Sequence, residues 1–157
     1  MTIFGKPLST YAAFCRTFLI LIPLVGLARL GLSLSGTPNS TTRWASMTIL
    51  MWIAVIYFSV RIHTTGFGSY RQLLVICAML NLPTQFISIL GIVIAIATGT
   101  DNVFSAPEFS FGVGGTWGHV AAHVFIGSII GSLAYWLIGS IVLAVTRKVA
   151  APSRIPA

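Results

Sequence analysis

Acidic residues are almost missing from this chain. Asp101 and Glu108 are the only two among 157 residues, against nine Lys and Arg. Charged residues of both signs make up 7% of the chain, where a water-soluble globular protein carries about 25%. So thin a charge cannot cover a water-facing surface, which excludes an ordinary soluble domain. Cysteine is scarce too. Cys15 and Cys77 stand 62 positions apart and form no C-x-x-C. A membrane thiol oxidoreductase needs paired cysteines on the oxidising side, so that class is excluded; the two thiols read as small packing residues. No H-E-x-x-H occurs, so there is no metalloprotease helix with its built-in general base. The net charge of +7 does not point to nucleic acid, because no basic patch with interleaved aromatics is present. No internal repeat is evident either; the surroundings of Pro23 and Pro83 do not match.

Long apolar runs are what the chain does have, at 56% hydrophobic residues. A membrane-crossing helix needs about 20 mostly apolar residues. Four segments qualify: 11–32, 44–62, 72–97 and 118–146. The expected fold is all-α, a single domain over 1–157 with four transmembrane helices in a bundle and lipid as its solvent. The second segment has 17 uncharged residues between Arg43 and Arg61, close to the lower limit. The third and fourth are long enough to tilt or overhang. Lys6 and Arg16 before an apolar run imitate a signal peptide, but Arg16 sits late and Pro23 interrupts the run. An uncleaved first helix is therefore expected.

The bases lie at the ends of these runs and set the orientation. With both termini in the cytosol, Lys6, Arg16, Arg61, Arg71, Arg147, Lys148 and Arg154 fall inside, and Arg29 and Arg43 outside. Seven against two is a positive-inside bias. Arg16 and Arg29 are roughly 20 Å apart along a helix, so each is expected to snorkel to its own interface. A bacterial inner membrane is the expected location, with the longest loop, 98–117, on the periplasmic side. Phe104, Phe109, Phe111 and Trp117 in and beside that loop are expected at headgroup level, folding it onto the membrane surface. Asp101 and Asn102 are placed to close the third helix, and Pro107 to set a turn. The last residues, 149–157, are expected to fray.

Polar residues inside the spans form two groups. Asn81, Thr84, Gln85 and Ser88 share one face of the third helix, around Pro83. In the fourth, His119, His123, Gly127, Gly131, Tyr135 and Gly139 follow one another at intervals of four. On a straight α-helix such a row drifts by about 40° per step, giving a slanting ridge. Gly127 and Gly131, flanked by Ser128 and Ser132, allow another helix to approach closely. The polar face of the third helix is the natural partner, and a second chain or copy is the other.

Histidines at i and i+4 can bind one metal ion, and the loop can bring Asp101 and Glu108 to the same membrane edge. Two imidazoles plus carboxylate suit Zn, Fe, Mn or Cu. A haem held between His63 and His123 is excluded, because the two lie roughly 20 Å or more apart along the membrane normal. A haem with one ligand from this chain and one from a partner remains open. Three functions are thus expected. The first is an accessory or scaffolding membrane subunit, packing against other subunits or its own copies. The second is a metal- or haem-binding redox protein using His119, His123, Asp101 and Glu108. The third is a small oligomeric transporter or channel lined by the Asn81 and Gln85 face.

Overall fold

The computed structural model describes residues 1–42, 44–108, 110 and 112–150. Arg43 as an outer base, Phe109 and Phe111 as interfacial aromatics, and Arg154 with the rest of 151–157 lie outside the described residues. The chain opens with a two-stranded hairpin, β1 (Thr2–Ile3) against β2 (Lys6–Pro7). Phe4 and Gly5 at its tip both take positive φ, 47° and 81°, as the tightest hairpin turns require. Helices α1 (Leu8–Leu34), α2 (Asn39–Thr42), α3 (Met47–Thr64) and α4 (Tyr70–Thr98) follow. The last span is continuous from Trp117 to Val149 and has three parts: α5 (Trp117–Ala122), a π-helical segment (His123–Ile130) and α6 (Gly131–Val149). Among the described residues the fold is all-helical but for the hairpin, with four helices long and apolar enough to span a membrane.

Local chemistry sets the ends. The second span starts as a regular helix at Met47, not at Trp44, because the Ser46 hydroxyl caps it by accepting from the Ile49 amide. Trp44 lies in the preceding turn. At the start of α4 the Ser69 amide donates to Gln72 Oε1 at 2.8 Å, the reciprocal half of a capping box. Gly99 ends α4 in the left-handed conformation, φ 68°, its N–H returning to Ala95 O. Closure there belongs to Gly99 and not to Asp101 or Asn102. The Asn102 amide instead donates to Gly91 O, 2.6 Å away.

Helix α4 is the centre of the bundle and touches α1, α3, α5, the π-helical segment and α6. The core runs through Tyr11, Cys15 and Ile22 of α1, Met51, Val55 and Phe58 of α3, Leu73, Ile76, Cys77 and Leu80 of α4, and Leu143 of α6. Both cysteines are buried and free. The outside is apolar as well. Ile20, Leu24, Phe86, Leu137 and Ile141 are each exposed over more than half their surface, a pattern that water does not tolerate over so large an area.

The two ends of the bundle differ. One carries the hairpin, the 65–69 turn and Ala150, with Lys6 over Phe67, Arg61 over Phe14, Arg71 over Phe4 and Arg147 over Tyr70. The other carries α2 and the described residues of the 99–116 loop. The long loop folds down onto the helix ends: the Val103 amide donates to Ser33 Oγ at 2.9 Å, and Phe104 packs on Gly91. A Cβ on Gly91 would stand 2.5 Å from that ring, so only glycine lets the loop settle there.

Candidate functional site: a polar chamber at the loop end

Beneath the long loop the helices part around a chamber of about 350 Å³. Helix α1 contributes Arg29; the start of α3 contributes Ser46, Met47 and Thr48. Helix α4 contributes Thr84, Gln85 and Ser88, and the last span contributes His119, His123 and Tyr135. Val103 and Phe104 of the loop complete it. Thr84 and Ser88 turn their hydroxyls back to the carbonyls four residues earlier, at 3.2 and 3.1 Å, and so keep their helix intact.

One hydrogen-bond chain runs from this chamber into the bundle, and backbone carbonyls set its direction. The Asn81 amide nitrogen donates to Gly127 O at 2.9 Å and to Ser132 Oγ at 3.0 Å. A carbonyl only accepts, so Asn81 must present Oδ1 to Gln85, whose Nε2 donates to it at 3.0 Å. Gln85 then presents Oε1 to His123 Nδ1, 2.6 Å away. His123 Nδ1 therefore carries a hydrogen. His119 is fixed in the same way, Nδ1 donating to Gly114 O at 2.7 Å. In both rings Nε2 is the nitrogen left for other chemistry. The rings lie 5.0 Å apart, centroid to centroid, and His119 is nine-tenths buried.

The π-helical segment makes this alignment possible. Its wider turn (bonds from i to i+5) takes more residues per turn than the α-helical 3.6, so a row at intervals of four drifts back instead of onward. The row is thus not the slanting ridge of a straight helix. His123 bonds Gln85, Gly127 sits against Gln85, Gly131 against Asn81, and Tyr135 reaches the chamber. A Cβ on Gly127 would collide with the Gln85 side-chain oxygen. The wider turn also disturbs carbonyl pairing; Asn81 bonds Gly127 O, and Ser128 Oγ donates to His123 O at 3.0 Å.

The two carboxylates do not join the imidazoles. Asp101 accepts from Ser105 Oγ at 2.8 Å, within its own turn. Glu108 accepts from Asn39 Nδ2 of α2 at 3.2 Å. A backbone hydrogen bond at Glu108 itself, then the Asn39 amide, hold that carboxyl below the usual carboxylate range. Neither acid lines the chamber. His63 is at the opposite end, with Nε2 2.8 Å from Ala150 O. Among the described residues no three His, Cys, Asp or Glu side chains are grouped to hold a metal ion. Sequence reasoning placed Arg29 at the interface; the structure turns it to the chamber, beside Ser46 and Thr48. The available signal was an ionisable residue within an apolar run.

Chemically, two demands compete for this space. The Nδ1–H bonds to oxygen acceptors are the support that metal-binding histidines usually have. Yet His119 and His123 supply two donors and no negative charge, and Arg29 is in the same chamber. The field of Arg29 disfavours a second positive charge in the same space. The same field attracts an anion. Comparison with protein-family models, with curated proteins and with solved structures finds no match to this chain.

Proposed function

We propose that this chain is a multi-pass membrane protein that binds a small oxyanionic group in the chamber, from the side away from the cytosol. The observation that carries the reading is the Arg29 guanidinium in a chamber that it shares with Ser46 and Thr48 and that neither acid lines; the neutral imidazoles, with hydrogen on Nδ1, present lone pairs at Nε2 and add no donor to an anion. Insertion is supported by the four apolar spans and by their lipid-like exterior. The orientation is supported by the bases at the terminal end of the bundle. In a bacterial inner membrane the chamber then faces the periplasm. A metal at His119 and His123 is the second reading, favoured by the two Nδ1–H bonds. An accessory or scaffolding subunit that packs against other chains or its own copies is a further reading, supported by soluble segments too small to form a domain; within this chain α4 covers Gly127 and Gly131.

Titration of the detergent-solubilised protein with phosphate, sulfate and acetate tests the proposal. At low salt we expect saturable heat on injection and a rise in melting temperature. Ligand at 100 times its Kd adds about 2.7 kcal/mol to the folded state. Saturable uptake of zinc with no response to any of the three anions would replace this reading with the second.

A further inference from the structure

We infer that the oxyanion held in the chamber carries a hydroxyl of its own, which donates to the imidazoles; hydrogen phosphate is the simplest member of this class. This rests on the anion reading and names its ligand. Four polar atoms on α4 and the last span can accept a hydrogen bond and have no hydrogen left to give. Thr84 Oγ1 already donates to Leu80 O, and Ser88 Oγ to Thr84 O. His119 Nδ1–H is taken by Gly114 O and His123 Nδ1–H by Gln85 Oε1. What remains on each is a lone pair. All four residues line the chamber; Tyr135 beside them has a hydroxyl that can act either way.

Among the described residues both rings bond through Nδ1 alone, and neither Nε2 is walled in without a partner. Each Nε2 thus opens onto space that water or a ligand fills. The two rings also border a cavity of about 400 Å³ beside Ser110 and Val113. Ser110 Oγ there donates to Ser105 O and accepts from the Gly114 amide, and no charged side chain among the described residues lines that cavity. An oxyanion therefore meets the rings from the chamber. The chamber's donors come from other elements. Ser46 Oγ accepts from the Ile49 amide and keeps its hydrogen, with Thr48 nearby on α3 and Arg29 on α1. A ligand made of bare oxygens suits those groups and turns only lone pairs to the acceptors. Water at the acceptors can donate, and an anion that displaces it without a hydrogen loses those bonds. Both ionic forms of phosphate at neutral pH keep at least one P–OH. Sulfate has the same shape and keeps none. An ammonium group would also donate, but the field of Arg29 disfavours its charge.

Calorimetric titration of the detergent-solubilised full chain at neutral pH compares phosphate with sulfate, and glycolate with acetate and glycine. We expect phosphate to bind at least 10-fold more tightly than sulfate, and glycolate at least 10-fold more tightly than acetate or glycine. His119→Asn and His123→Asn each keep an amide N–H in place of Nδ1–H and remove Nε2. The double variant should bring phosphate down to the affinity of sulfate and leave sulfate unchanged. If it does not fold, the ligand comparison on the native chain decides alone. Sulfate as tight as phosphate, glycine tighter than glycolate, or equal weakening of phosphate and sulfate in the double variant overturns the hydroxyl inference and leaves the anion site standing. No response to phosphate, sulfate, glycolate or acetate overturns the anion reading itself.

Discussion

Arg29→Gln is expected to weaken oxyanion binding by about 100-fold. Among the described residues Arg29 is the only charged side chain lining the chamber, and neutral imidazoles with hydrogen on Nδ1 turn only a lone pair at Nε2 toward an anion. A hydrogen bond to a charged group contributes about 1.5–3 kcal/mol, and 1.4 kcal/mol is tenfold in Kd. Loss of the charge and of one such bond accounts for the two orders of magnitude. Arg29→Lys keeps the charge but not the planar fork, so an intermediate loss of about 10-fold is expected. Calorimetric titration with phosphate reads both, and circular dichroism confirms that the helices persist. Unchanged affinity in Arg29→Gln would show that the guanidinium does not contact the ligand.

Gln85→Leu is expected to undo the alignment of the last span. Leucine is close to glutamine in size but removes the acceptor of His123 Nδ1–H and the donor to Asn81 Oδ1. Two polar groups are then left without partners, each costing about 1–3 kcal/mol in a water-free interior. Measured bonds between membrane helices average nearer 0.6 kcal/mol, because the unfolded reference finds partners too. A net loss of about 1–2 kcal/mol is the balance we expect. The sharper readout is nitrogen NMR of the imidazoles. His123 should be the Nδ1–H tautomer in the native protein and a mixture in the variant, while His119, held by Gly114 O, keeps its form. An Nε2–H tautomer for His123 in the native chain would contradict the hydrogen-bond direction derived from Gly127 O.

The four spans were legible because composition and run length alone reveal them. Their limits were less so. Ser46 moves the start of α3 to Met47 through one hydroxyl bond, and the Phe4–Gly5 hairpin lies in a stretch whose pattern shows no alternation. The row at intervals of four was visible, yet it reads the same on an α-helix and on a π-helix. Only the packing of Gly127 and Gly131 against Gln85 and Asn81 distinguishes the two. The histidine pair was legible; its environment was not. Ser105 and Asn39 hold the acids aside through short-range bonds that no spacing rule reveals. Arg29 read as a snorkelling interfacial base, because a helix face cannot be assigned to lipid or to the interior before its neighbours are known.

Which compartment the chamber faces decides what ligand can reach it. Single cysteines at Thr100→Cys and Thr65→Cys, both at exposed positions at opposite ends of the bundle, test this in intact cells. Cys15 and Cys77 are buried and should add little background. A membrane-impermeant maleimide is expected to label Thr100→Cys in intact cells and Thr65→Cys only after permeabilisation. The reverse pattern would put the chamber on the cytosolic side and contradict the account.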